Sequence, residues 1–386
     1  MNELRGRAAV VGAALADIGK PGLPMVSSAH ELAAQASLRA LQDAGLDRAD
    51  VDGLFCCGFG PDSSLEFGEY LGLRDLAHFD TTNVGGSSWV TYVEHAAGAI
   101  HAGLCTTALL AHAELGYTDR ARGVEYWQDP RTPLRQFDLV YGNSYITAYA
   151  LIAQRYLWQY GLSPDALAHI AVSTRQWASL NPLARFRDLI TVEDVLASPM
   201  ISSPFHLLDC CLVSDGGGAV VLQAADRARG TRKPISVLGV GSCQTHLSLA
   251  EMPDLLRTGA VVSGRRAFEM AGMGPDDIDL LMLYDSFTIT PTLALEDLGF
   301  CGPGEATQLA AEGVLAPGGR LPMNTNGGGL SFCHSGMYGM FTLVEAVTQL
   351  RGEAEDRQAE GVEVAVAHGV GEFYSATGTA VLAATR

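Results

Sequence analysis

The residues of this chain best equipped for chemistry lie in 321–343, LPMNTNGGGLSFCHSGMYGMFTL, where Cys333, His334, Ser335 and Tyr338 follow three consecutive glycines. Asn324 is a turn-former, and the apolar residues past the glycines read as a helix that reaches Leu350. Three residues without Cβ let the backbone turn tightly and come close to a ligand. A helix starting there aims its unpaired N–H groups and positive dipole end back at the turn. The plain alternative is a packed glycine turn between two core elements. What separates the readings is that the turn has a twin.

Residues 7–15 (RAAVVGAAL) read as a strand with Gly12 at its end, 28–44 as a helix, 47–52 as an acidic turn and 53–57 as a second strand. In the second half, 235–243 reads as a strand, 263–272 as a helix and 275–284 as an acidic turn and strand. One shift of 227 residues lays Gly12 on Gly239, Ala44-Gly45 on Ala271-Gly272 and Asp52 on Asp279, without a gap. Self-similarity at that spacing predicts two copies of one α/β unit. Asn83-Val84-Gly85-Gly86 and the helix after it then match Asn326-Gly327-Gly328 and its helix. The strands at 106–114 and 362–371 follow, pairing Ala111-His112 with Ala367-His368. A pseudo-twofold relation would bring both glycine turns and both helix N-termini to one site, a geometry suited to an oxyanion. The division expected is 1–230 and 231–386, with an excursion over about 117–210. Within it, 117–145 reads as a loop rich in aromatics and arginine, a lid or an oligomer contact, and 144–180 reads as helical.

Composition narrows the classes. The 386 residues are 48% hydrophobic with 44 glycines, as expected of a tightly packed α/β enzyme. A formal charge of −18 and the lack of a basic stripe argue against nucleic acid. No apolar run has the length of a membrane span, and the N-terminal stretch reads as a first strand rather than a leader. Eight cysteines without metal-ligand spacing read as reduced, buried thiols of a cytoplasmic protein, with no metal site.

The segments YGNSYITAYALIAQRYLWQYGLSPDALAHIAV, NPLARFRDLITVEDVLASPMISSPFHLLDCCLVSDGGGAVVL, LYDSFTITPTLALEDLGF and NTNGGGLSFCHSGMYG resemble the thiolase superfamily. Within it they are similar to the lipid-transfer-protein, sterol-carrier-associated type. The resemblance implies a thiolase fold, a duplicated α/β unit in five layers (αβαβα), normally dimeric. It also implies a nucleophilic cysteine at the first glycine turn, where this chain has NVGGSSWV. The family's second cysteine falls on His368, its active-site histidine on His334, and its His-Asp-Cys-Phe motif becomes Tyr284-Asp285-Ser286-Phe287. A chain with no suitable thiolate is poorly equipped for an acyl-enzyme route. The resemblance points instead to the thiolase-like aldolases of steroid side-chain degradation. These cleave a β-hydroxyacyl-CoA by retro-aldol chemistry alongside a small zinc-ribbon/OB-fold partner protein.

That reading gives the proton steps to Tyr284 and Tyr338, with His334 and the glycine turns (Gly86, Ser87, Gly328, Gly329, Gly336) holding the thioester and its enolate. Tyr338, four residues past His334, is expected on the same helix face. His368 either bonds the thioester carbonyl or stabilises its own turn. Asp285 orients Tyr284 or His368, or caps a helix. Ser87 and Ser88 are nucleophiles or N-caps, and Cys333 is a packed thiol. Arg120, Arg122, Arg185 and Arg187 are candidates for the coenzyme A phosphates. No cofactor is expected beyond the coenzyme A thioester that is the substrate. The rival readings are an acyl-CoA C-acyltransferase and a non-catalytic scaffold subunit.

Overall fold

The computed structural model of the chain describes residues 2–18, 28–121, 142, 144–228 and 233–384. The first copy of the repeat runs β1 (Ala8–Leu15), α1 (Ala29–Ala44), β2 (Gly53–Phe55), α2 (Ser63–Leu71), β3 (His78–Asp80), α3 (Ser88–His101) and β4 (Thr107–Leu115). The short helix α4 (Gly116–Ala121) begins the excursion expected as a loop; most of 122–143, with Arg122, lies outside the described residues. Next come α5 (Tyr145–Tyr160), α6 (Asp165–Leu180), α7 (Val192–Ala197) and the two-stranded ribbon of β5 (Met200–Ser202) and β6 (Phe205–His206). The long strand β7 (Asp215–Ala224) follows them. The second copy is β8 (Ile235–Gln244), α8 (Ala260–Ala271), β9 (Leu280–Leu283), α9 (Ile289–Asp297), α10 (Ala306–Ala311), α11 (Gly339–Arg351), β10 (Val364–Gly371) and β11 (Ala376–Ala384).

The strands form one sheet in the order β3-β2-β4-β7-β1-β8-β11-β10-β9. Its two halves mirror one another about β1 and β8, which pair in a short antiparallel ladder at Ala9–Ser236 and Val10–Ile235. Strand β1 continues past Gly12 to Leu15, with its register against β7 shifted between Val10 and Gly12. Gly12 and Gly239 do the same work in each copy. A Cβ at Gly12 would overlap the Ala40 carbonyl of α1, and one at Gly239 the Ala267 carbonyl of α8. Helices α1 and α8 both end on a left-handed glycine, Gly45 at φ 68° and Gly272 at φ 62°. The carboxylates of Asp52 and Asp279 each accept the two backbone N–H groups that open the neighbouring strand, β4 or β10.

Layering follows from which faces are apolar. Residues of α3 and α11 are buried almost all round, as helices enclosed between two sheets must be. They share one core with the inner faces of both half-sheets. Helix α1 packs on the outer face of the first half and α8 on that of the second. The result is the expected five-layer αβαβα arrangement.

The strand register corrects one expected pairing. Gly53 lies opposite Ala108, and its counterpart Leu280 lies opposite Ala365. Gly369, one residue past His368, is therefore the structural counterpart of His112. A slip of one residue moves a side chain to the other sheet face. His112 packs against Trp89 of α3 at a tilt, ring centroids 4.5 Å apart, in the central layer. His368 instead bonds Thr379 at 2.9 Å, and Thr379 bonds Ser263 of the outer helix α8.

Candidate active site

The glycine run does not lead straight into a helix. Gly328–Phe332 form a single π-helical turn, residues 333–338 leave it as an extended loop, and α11 starts only at Gly339. The cause is Asp285, just past the end of β9. Its carboxylate accepts the N–H groups of Gly329 (2.6 Å) and Leu330 (3.4 Å), while Asn326 Oδ1 accepts that of Gly328 (2.9 Å). A Cβ at Gly328, where φ is +62°, would lie 2.8 Å from Asp285 Cγ. The second glycine turn is thus a nest for an anion, and the chain fills it with its own carboxylate. Burial pushes Asp285 up to about 7 despite those bonds. Asp285 neither orients a ring nor caps a helix, and Gly328 and Gly329 have no free donor for an oxyanion.

Three aromatic rings meet beside that turn. Tyr284 Oη lies 3.2 Å from His334 Nε2 and 3.5 Å from the Gly336 carbonyl. Tyr338 donates to Asn326 Oδ1 at 2.9 Å. The Tyr284 ring stands edge-on to both His334 (centroids 5.7 Å) and Tyr338 (5.8 Å), and those two lie parallel 6.1 Å apart. The expectation that His334 and Tyr338 share a side is met by a returning loop, since His334 lies outside the helix. All three are buried, Tyr338 completely. Burial pulls His334 down to about 4, so its imidazole is neutral at physiological pH. Burial holds both phenols well above their ordinary range, so they rest protonated. The pair is a protonated phenol and a neutral imidazole within hydrogen-bond reach of each other.

The first glycine turn meets the same rings. A Cβ at Gly86 would lie 2.5 Å from both Cζ and Oη of Tyr284, so the phenol occupies the space of a side chain there. A Cβ at Gly339 would overlap the Gly86 carbonyl, which brings the starts of α3 and α11 together as the repeat implied. Ser87 and Ser88 are fully buried; their hydroxyls donate to the carbonyls of Val84 and Gly85, and Ser88 also accepts the Val84 N–H. These bonds pin the turn, and no general base is among them. His368 contributes through its backbone, its carbonyl accepting the Tyr284 N–H at 3.0 Å, while its ring sits on the strand face opposite Gly369 and Gly371.

Thiols are poorly placed for chemistry. Cys333 is packed against Ser214 Oγ at 3.2 Å and burial pushes it up to about 12. Cys57 and Cys105 rise to about 11 and about 12 for the same reason. Next to the π turn, a cleft of about 630 Å³ is lined by Tyr117, Arg175, Arg185, Phe186, Cys211 and Leu330 among others. Arg185 borders this cleft and donates to the Val213 carbonyl, whereas Arg187 is exposed and turns to the Ser179 carbonyl. The Arg120 side chain lies outside the described residues.

Residues 241–384 match the family described as thiolase C-terminal domain-like. A steroid side-chain-cleaving aldolase of Thermomonospora curvata is 33% identical over 96% of this chain and 97% of its own length. The chain belongs to the thiolase superfamily. Another thiolase relative, an acetyl-CoA acetyltransferase of Methanothermobacter thermautotrophicus, is 33% identical over 89% of this chain and 91% of its own. The solved structure of an Ltp2-ChsH2(DUF35) aldolase superposes with a TM-score of 0.90 at 31% identity, covering 99% of each chain. This thiolase-fold chain thus keeps the family's architecture while a phenol fills the space at its first glycine turn. Sequence reasoning missed Asn326 as the partner of Tyr338. It also missed Glu114, the one acid of strand β4 (TALLAHAEL), which was the signal available.

Proposed function

We propose that this protein is a thiolase-like aldolase, a carbon–carbon lyase that cleaves a β-hydroxyacyl-CoA of the steroid side-chain type and releases a short acyl-CoA. The observation that carries this is the Tyr284–His334 pair, 3.2 Å apart, with the phenol standing where a side chain of residue 86 would be. The substrate's β-hydroxyl gives its proton to Tyr284 Oη as Tyr284 passes its own to His334 Nε2. The Cα–Cβ bond then breaks, leaving a carbonyl on one fragment and a thioester enolate on the other. The same proton returns through Tyr284 to the enolate carbon, so the enzyme ends as it began. Tyr338 is the second phenol, held on Asn326, and supports the enolate. Asp285 shapes the turn behind the rings, and His368 places Tyr284 through its carbonyl.

The cleft beside Arg185 is suited to the acyl-CoA, with Arg185 near its phosphates. Among the described residues, no helix is long and apolar enough to cross a membrane. Eight free cysteines suit a cytoplasmic enzyme. Strand β3 ends the sheet with Phe79 exposed, an unpaired edge suited to a homodimer. The aldolase structure that superposes on this chain is named together with ChsH2(DUF35), which supports a zinc-ribbon/OB-fold partner here. The acetyltransferase relative favours a second reading, C-acyl transfer through a cysteine. Two measurements decide. Purified protein with its partner is expected to split a β-hydroxyacyl-CoA into a carbonyl product and acyl-CoA, with iodoacetamide leaving the rate unchanged. A trapped acyl-cysteine would replace this reading with the transferase.

A further inference from the structure

The residues described so far at the rings come mostly from the second half of the chain, yet the loop between His334 and Tyr338 rests on the first. His112 Nε2, in β4, lies 3.2 Å from Ser335 Oγ. Two residues further along the same strand face, Glu114 takes the Met337 N–H. Its other oxygen, Oε2, is out of reach of solvent and has no hydrogen-bond partner among the described residues. What covers it is Gly336, at φ +144°, where a Cβ would lie 2.7 Å from Glu114 Cδ. The carbonyl of that same glycine faces Tyr284 Oη. One carboxyl group therefore sits under the loop that sets His334, Gly336 and Tyr338 around Tyr284.

We propose that Glu114 is a positioning residue for the reaction: uncharged, it fastens the Ser335–Met337 loop to the first half, and when ionised it releases the loop and opposes charge at Tyr284. This rests on the aldolase reading above. An unpartnered carboxylate oxygen sealed beneath a glycine has no donor to stabilise it, so ionisation there demands water and displaces the loop. Burial accordingly pushes Glu114 up to about 8, with Asp119 of α4 adding to the rise and the Met337 N–H opposing it. The other titratable groups around it are Cys57 after β2, Tyr284 after β9, His112 on its own strand and His334 of the loop. None is a cation at neutral pH, since burial keeps both histidines neutral.

The test compares wild type, Glu114→Gln and Glu114→Ala in the full chain with its partner. Gln keeps the size and accepts the Met337 N–H but does not ionise. For wild type, kcat is expected to fall as pH rises through about 8. In Glu114→Gln that fall disappears, with kcat about threefold lower at pH 7 and KM little changed. In Glu114→Ala, kcat drops at least about tenfold at every pH. A wild type that cleaves substrate, with the same alkaline fall in Glu114→Gln, overturns the proposal and leaves the aldolase reading standing. A wild type that cleaves no β-hydroxyacyl-CoA overturns the aldolase reading. The Glu114 proposal is then judged on thermal unfolding. From about pH 5 to 8 wild type must lose Tm faster than Glu114→Gln, since the folded carboxyl holds its proton there and the unfolded one does not, and parallel curves refute it.

Discussion

The two glycine turns of this chain occupy corresponding places in a duplicated unit, yet one is built around a phenol and the other around a carboxylate. At the first, Gly86 leaves room for the Tyr284 ring. At the second, Gly328 and Gly329 enclose Asp285, whose oxygens consume the N–H groups that would otherwise bind an anion from outside. Duplication copies the backbone of a binding turn; the side chain aimed into it decides whether it binds substrate or holds the fold together.

If that difference is real, damage at the two turns separates by kind. Removing the phenol gives the largest effect: Tyr284→Phe is expected to lower kcat by about 10³-fold, within the range of one general acid–base group, with KM little changed. Gly86→Ala pushes a methyl group into the ring and is expected to cost about 10²-fold in kcat, with a smaller Tm loss than Gly328→Ala because φ at Gly86 is not left-handed. Equal losses of Tm at Gly86 and Gly328 would erase the distinction. Proton inventory sharpens it further. In the proposed relay the acceptor is His334, which burial pulls down to about 4, so kcat is expected to hold from neutral pH down to about 5, then fall about tenfold per unit below 4. Gly328→Ala is the opposite case. The added methyl meets the Asp285 carboxylate at a left-handed φ, so it is expected to destabilise by roughly 2–4 kcal/mol. Its Tm falls by several degrees while the remaining folded enzyme keeps its substrate affinity. Least affected is Ser87→Ala, which loses one hydroxyl bond to Val84; activity within about threefold of wild type is expected, and a larger loss would reinstate a serine nucleophile.

Much of this was readable in one dimension. The shift of 227 residues predicted that Gly12 and Gly239 would perform one task, and both admit a helix carbonyl at close range. Tyr284, His334 and Tyr338 were named through the family resemblance of their motifs, and the structure gathers them. The helix expected directly after the glycines starts nine residues later, at Gly339 rather than Leu330, because a π turn closed by Asp285 and a loop resting on β4 intervene. His368 was named for its imidazole, but one residue of strand register turns the ring to the outer layer and leaves only its carbonyl behind Tyr284.

Taken alone, the order of residues determined that two like units would fold, where their glycines would stand, and that phenol and imidazole rather than thiolate would be at hand. Those properties are local, or repeat at a constant spacing, and survive without coordinates. Tertiary structure alone decided that Asp285 fills the second nest, that Tyr284 lies over Gly86 and that Glu114 supports the loop at Gly336. Each joins residues about 40 to 220 positions apart across different elements, where a shift of one residue or one ångström decides between contact and none.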